Sequence, residues 1–133
     1  MLLCIVGILI MGRVERVCEM AGYVFGIDVG GTTVKLGLFD LHGMVVDKWE
    51  IPTRTENNGE MILPDIANSI KVKMAEKSIV KEDVAGVGVG VPGPVDGYGI
   101  VHRAVNLGWN MFNLKENLTT LLDGMRVECG NDA

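Results

Sequence analysis

An α/β fold built on a mixed sheet is the architecture this 133-residue sequence predicts. The chain opens its folded part with three β-patterned runs joined by short turns, two of them containing glycine. A segment with helical period follows, and strand and helix patterns then alternate, so the order reads βββαβ…αβ. The length suits one domain. Hydrophobic residues make up 48% and charged residues 22% of the chain, which excludes a disordered polypeptide. The apolar runs fall short of the roughly 18 residues of an ordinary membrane span. Seventeen acidic residues against twelve basic ones leave a net charge of −5, which argues against nucleic acid as the main partner.

Each element has a local reason. Tyr23–Val29 is a β-branched and aromatic run ending at Gly30-Gly31, a strand with a tight turn after it. Val34–Asp40 sets Val34, Leu36 and Leu38 against Lys35, Gly37 and Phe39, a second strand; Leu41-His42-Gly43 turns the chain, and Met44–Glu50 is a third. From Asn57 to Lys77 the period changes: Ile62, Ile66, Ile70 and Met74 recur every four residues beside Ala67, one apolar face of a helix. Asn57 and Asn58 are the expected caps, and Pro64 falls near the first turns, where it costs least. Lys71, Lys73, Glu76 and Lys77 read as a solvated face. Val84–Val91 is a strand with Val87, Val89 and Val91 on one side and Gly86, Gly88 and Gly90 on the other, where a neighbouring backbone or helix can come close. Pro92-Gly93-Pro94 stops it. Val95–His102 holds a turn and short extended pieces. Leu114–Leu122 is a second helix with Leu114, Leu118, Leu121 and Leu122 inward. Asp123-Gly124 ends it, and Met125–Cys129 is the last strand.

Residues 1–19 stand apart. The run MLLCIVGILIM has no Lys or Arg before it and no small-x-small cleavage site after it, and it is too short for a bilayer helix. The expectation is an apolar extension outside the fold, with the domain at 20–133; an extra strand or a weak membrane contact are the alternatives. Cys4, Cys18 and Cys129 are odd in number and widely spaced, so they offer neither a disulfide framework nor a zinc pair and read as ordinary thiols of a reducing cytoplasm.

The strongest chemical motif is Asp28-Val29-Gly30-Gly31-Thr32-Thr33-Val34-Lys35. The glycines let backbone N–H groups approach an anion without a Cβ in the way. Thr32 and Thr33 add hydroxyl donors, Lys35 adds charge, and Asp28 at the strand tip suits a hydrated Mg²⁺ beside phosphates. An ordinary hairpin explains Gly30-Gly31 alone but not the Asp, Thr-Thr and Lys crowded around the pair. A Walker A loop is absent, since no Gly-Lys-Ser/Thr occurs. Gly88, Gly90 and Gly93 form a literal G-x-G-x-x-G, yet Pro94 follows where the pyrophosphate-binding helix must open. Gly93 instead suits the border of a substrate pocket. Asn131-Asp132 at a strand end could supply a carboxylate to take a proton from an attacking hydroxyl, although taken alone the pair reads as a turn. His42 and His102 have no partners in sequence, and Trp49 and Trp109 read as packing residues.

Together these pieces resemble the N-terminal half of the ROK-family sugar kinases. The matching text is GIDVGGTTVKLGLFD at 26–40, GVGVGVPGPVD at 86–96, VNLGWN at 105–110 and GNDA at 130–133. The resemblance covers residues 22–133 and implies the actin/hexokinase-like (ribonuclease H-like) fold, with two lobes around a cleft. It implies that Asp28, Gly30, Gly31, Thr32, Thr33 and Lys35 form the ATP phosphate loop, and that Asp132 is the catalytic base. Asn131 would hydrogen-bond sugar hydroxyls, and Gly93 and Asn106 would fall in sugar-lining segments. The implied reaction moves the γ-phosphoryl group of ATP to the 6-hydroxyl of glucose or a related hexose, with Mg²⁺, in the cytoplasm. The implied parent is a homo-oligomer without nucleic-acid or membrane partners.

The sequence departs from the family by ending where the catalytic Asp appears, without the second lobe and its zinc motif. A kinase closes two lobes to exclude water and align its substrates. The expectation is therefore that this chain alone has no useful kinase activity. The alternatives are the lobe of a sugar-sensing transcriptional regulator, for which residues 1–19 are too short and apolar to supply a DNA-binding domain, and a binding module without chemistry.

Overall fold

The computed structural model describes residues 22–91, 100–101 and 112–131. Strand β1 (Tyr23–Val29) turns back into β2 (Thr33–Asp40), and β2 into β3 (Val45–Pro52). A one-turn helix α1 (Glu56–Gly59) leads into helix α2 (Ile62–Glu76), and a 3₁₀ turn at Lys81–Asp83 opens β4 (Val84–Val91). Short strands β5 (Ile100–Val101) and β6 (Phe112–Asn113) pair with each other; helix α3 (Leu114–Leu121) and strand β7 (Val127–Asn131) follow.

The five long strands form one sheet in the order β3-β2-β1-β4-β7. β1–β2 and β2–β3 are antiparallel, whereas β1–β4 and β4–β7 are parallel. The sheet is thus mixed, as the order of patterns predicts. The physical cause is connection length: short turns permit only antiparallel neighbours, while the helical crossovers return the chain parallel.

One face of this sheet carries the core. Phe25, Ile27 and Val29 of β1, Val34, Leu36 and Leu38 of β2, and Val87, Val89 and Val91 of β4 are buried there against Ile62, Ile66, Ile70 and Met74 of α2. Leu114, Leu118 and Leu122 close the same cluster from α3, with Leu121 partly buried beside them. Burying one such aliphatic side chain is worth about 1.5–3 kcal/mol before conformational entropy is counted. Period two in the strands and period four in α2 meet on a single apolar surface.

The opposite face carries the glycines. Gly37, Gly26 and Gly88 lie side by side across β2, β1 and β4. The next row along the strands reads Glu50, Lys35, Asp28, Gly90 and Gly130. Val24 and Phe39 lie on this second face and are fully buried outside the main cluster.

The turn from β2 to β3 is held by Asp40. Its Oδ1 accepts from the N–H groups of His42 (2.9 Å) and Met44 (3.0 Å), and Gly43 supplies the positive φ of 83°. β3 begins one residue later and runs two residues further than expected, to Pro52. An edge strand has one unpaired side and tolerates a proline.

The single helix expected over 57–77 is divided. Asn57 and Gly59 adopt positive φ (51° and 69°), which breaks the helical path after one turn. Neither Asn57 nor Asn58 caps the main helix. Its N-cap is Met61, with no side-chain cap bond; Pro64 and Asp65 stand in the first turn, where a missing N–H is harmless and an acid suits the helix dipole. The last strand also starts later than expected, because Asp123 and Gly124 turn left-handed (φ 58° and 89°) and Met125 is buried before pairing begins.

The charges of α2 are not all solvated, contrary to expectation. Lys73 is 13% exposed, donates to Asp47 Oδ2 at 2.7 Å and sits 4.8 Å from the centre of the Trp49 ring. The Asp47 contact holds its ammonium above the ordinary lysine range and pulls the Asp47 carboxyl below 3.8. Trp49 is a packing residue, as expected: it meets Phe25 edge-on with centroids 6.3 Å apart, and its Nε1 donates to Ser69 Oγ at 2.7 Å. These contacts fasten α2 over the sheet's edge strand.

Candidate active-site edge

β1, β4 and β7 are parallel neighbours, so their carboxyl ends lie along one edge of the sheet. β1 ends at Val29, β4 at Val91 and β7 at Asn131, with Val91 and Asn131 directly paired. Ligands of open α/β sheets bind outside such carboxyl ends. The motif residues converge on this edge. Asp28 is the penultimate residue of β1, and Lys35 stands directly across from it on β2. β1 and β7 are two strand spacings apart, about 10 Å.

The loop between β1 and β2 is very tight. Gly30 N–H donates to the Thr33 carbonyl at 3.0 Å. A Cβ placed on residue 30 would stand 2.8 Å from that same oxygen, closer than real Cβ atoms come. Glycine is therefore required at 30 by the loop's own backbone. The Gly30 N–H is thereby used within the loop itself. Among the described residues, the N–H groups of Gly31 and Thr32 have no acceptor, and both residues are exposed. Among the described residues, the loop's donors without an acceptor are these two N–H groups and the Thr32 and Thr33 hydroxyls.

Behind the loop sits a residue the sequence did not single out. Thr53 follows β3, and its N–H donates to the Thr32 carbonyl at 2.9 Å while its Oγ1 donates to the Gly30 carbonyl at 2.8 Å. The register that pairs Thr33 with Pro52 puts Thr53 there. Strand-length matching along the meander was the one signal that could have found it.

Lys35 is exposed and lies between Asp28 and Glu50 in its row, yet it forms no ion pair among the described residues. Its chain is long enough to follow an anion at the loop. Asp28 is half-buried and likewise unpaired. Beside it Gly90 and Gly130 offer no side chains, and a Cβ on Gly130 would meet nothing within 4 Å. Gly90 is buried, whereas Gly130, one strand further along, faces open space on the side of the sheet that carries Asp28. No cluster of three or more metal-ligating side chains exists among the described residues. A single carboxylate does fit Mg²⁺, which keeps several waters and takes its other ligands from phosphate oxygens.

Gly93, Asn106 and Asp132 lie outside the described residues, as do His102, Trp109, Cys4 and Cys18, and only the backbone of Asn131 is described. His42 is exposed in the β2–β3 turn, far along the chain from this edge. Cys129 faces the core side of β7, where burial pushes its thiol up to about 12. No helix among the described residues is long and apolar enough to cross a membrane.

The fold and this edge define an α/β lobe of the actin/hexokinase-like class. Known proteins agree with that class. The model of the ROK family matches residues 24–133, and the chain belongs to that family. A glucokinase of Halalkalibacterium halodurans is 40% identical over 94 residues, covering 70% of this chain and 28% of the relative. The ROK hexokinase of Thermus thermophilus superposes with a TM-score of 0.68 at 28% identity, over 84% of this chain and 35% of that one. The ROK family glucokinase of Streptomyces griseus, solved with glucose and AMPPNP, gives 0.65 at 28%, over 84% and 34%. The chain spans about a third of the length of the curated relatives it matches.

Proposed function

We propose that this chain supplies the phosphate-binding lobe and the catalytic base of a sugar kinase that transfers the γ-phosphoryl group of ATP to the 6-hydroxyl of glucose. The observation that carries the reading is the convergence at one sheet edge: the Gly30–Thr33 loop, Asp28 and Lys35 meet the carboxyl ends of β4 and β7. The N–H groups of Gly31 and Thr32 and the hydroxyls of Thr32 and Thr33 receive terminal phosphate oxygens, and Lys35 balances their charge. Asp28 is the residue that would hold a hydrated Mg²⁺, which would supply positive charge against the transferring phosphates. Asp132, next to the end of β7, accepts the proton of the sugar hydroxyl as it attacks. The family resemblance assigns Asn131, Gly93 and Asn106 to the sugar side. The glucokinase relatives and the glucose- and AMPPNP-bound Streptomyces structure support this reading.

One lobe holds half of each substrate site, so the 133-residue chain alone is expected to show no useful turnover. In the two-lobed protein, Asp132→Asn should lower kcat by ~100-fold or more while leaving sugar affinity unchanged. A coupled assay of ATP-dependent glucose phosphorylation reads the first and sugar titration the second. Unchanged turnover would refute the assignment of Asp132 as base, whereas a two-lobed parent that binds sugar without any turnover would favour a sugar sensor.

A further inference from the structure

We infer that Thr53 is the positioning residue of the anion loop: it holds the carbonyls of Gly30 and Thr32 back into the protein, so that the Gly31 N–H faces outward and the Gly31–Thr32 peptide is confined between two fixed neighbours. The inference rests on the phosphate-binding reading of the loop. A four-residue turn with exposed glycine can present either its carbonyls or its N–H groups to solvent, and a peptide flip exchanges them. A loop that binds anions must exclude the flipped form, because a carbonyl dipole aimed at a phosphate is repulsive.

Three bonds exclude it. The Thr53 hydroxyl donates to the Gly30 carbonyl at 2.8 Å, and the Thr53 N–H donates to the Thr32 carbonyl at 2.9 Å. The third is internal, from Gly30 N–H to the Thr33 carbonyl at 3.0 Å. Three of the loop's carbonyls are thereby occupied, whereas among the described residues the Gly31 and Thr32 N–H groups keep no acceptor. The Gly30–Gly31 peptide contains the Gly30 carbonyl and the Gly31 N–H together. Fixing one by the Thr53 hydroxyl therefore fixes the direction of the other. The Thr32 carbonyl likewise fixes the plane of the Thr32–Thr33 peptide, so the Gly31–Thr32 peptide, which carries the Thr32 N–H, lies between two held neighbours.

Thr53 can do this because it is itself held from both sides. Pro52 before it pairs with Thr33 at the end of β3. Arg54 after it grips Asp65 in the first turn of α2 with two bonds, 2.7 Å from Nε to Oδ2 and 2.6 Å from Nη2 to Oδ1. This fork is a bidentate guanidinium–carboxylate pair, which fixes orientation as well as distance. The helix that covers the core thus reaches the anion loop through three consecutive residues.

The test compares wild type, Thr53→Val and Thr53→Ser in the 133-residue chain, with inorganic triphosphate as the probe. Valine keeps the shape and the backbone N–H bond but loses the hydroxyl; serine keeps the hydroxyl. Amide resonances of Gly31 and Thr32 are followed during titration. Thr53→Val should shift these two resonances in the free protein and weaken triphosphate binding ~10-fold, while Thr53→Ser stays within about two-fold. Equal binding by wild type and Thr53→Val would overturn the role of Thr53 alone. Equal loss in both variants would assign the effect to general packing at position 53 rather than to the hydroxyl and also overturn it. A wild-type chain whose Gly31 and Thr32 resonances ignore triphosphate would overturn the phosphate reading, and this inference with it.

Discussion

Gly30 and Thr33 approach so closely that a Cβ on residue 30 would stand 2.8 Å from the Thr33 carbonyl oxygen. The obstacle is backbone held in a ladder, not the end of a flexible side chain, so it cannot yield cheaply. Gly30→Ala is therefore expected to cost about 1–3 kcal/mol, read as a lower urea midpoint at unchanged slope. A midpoint within error of wild type would show that the hairpin tip relaxes.

Gly130 provides the contrast. Its Cβ would meet nothing within 4 Å, and it shares a row with Asp28 through Gly90. Gly130→Ala should leave stability within about 0.5 kcal/mol of wild type. The added methyl would project from the same sheet face as Asp28, two strands away, so ligand binding at this edge should weaken where stability does not. Titration and denaturation of the same variant separate the two effects.

The Lys73–Asp47 pair sets a pH dependence with a defined sign. The Asp47 carboxyl is held below 3.8 first by the Lys73 hydrogen bond. Its contribution is present above that unfolded value and is lost as pH falls from 3.8 through the lower folded value. Lys73 is raised above 10.5 first by the Asp47 hydrogen bond, so its contribution is full below 10.5 and disappears above it. Asp47→Asn should flatten the acid limb of stability below pH 3.8 and lower the upper edge of the alkaline one. Urea midpoints measured across pH for both proteins check this; superimposable curves would remove the pair from the account.

Leu118 is fully buried between α3 and the sheet. Leu118→Ala should cost about 2–5 kcal/mol, because the lost methyls leave a cavity that the flanking Leu114 and Leu122 cannot fill. A loss under about 1 kcal/mol would mean that α3 collapses freely onto the sheet.

Cys129 should be a slow thiol. Burial raises it from 9.0 to about 12, so little thiolate exists near pH 8. Peptide-resolved alkylation at that pH should label Cys129 at least ~100-fold more slowly than free cysteine. The same shift means that stability falls as pH rises from 9.0 toward 12, since the unfolded thiol ionises first.

The fold was largely legible in residue order. β1 and β4 fall at the expected boundaries, and the inward leucines of α3 and isoleucines of α2 are those the periodicity selects. Boundaries slipped where the backbone turns left-handed, at Asn57, Gly59, Asp123 and Gly124, because positive φ leaves no mark in hydrophobic pattern. Lys73 was misjudged as solvated for a related reason. Its partners Asp47 and Trp49 lie on another element, and sequence spacing cannot report a contact made across a crossover.

The same division runs through the candidate site. Local chemistry alone determined the Asp-Gly-Gly-Thr-Thr-Lys cluster, its family resemblance and the mixed α/β order, since each depends on residues adjacent in the chain or on a short period. Tertiary structure decided which N–H groups of the loop remain free, that Gly130 faces open space on the sheet face of Asp28, and that Thr53 stands behind the loop. Those facts depend on strand register and parallel pairing, and register is fixed by burying one whole face of the sheet rather than by any single residue.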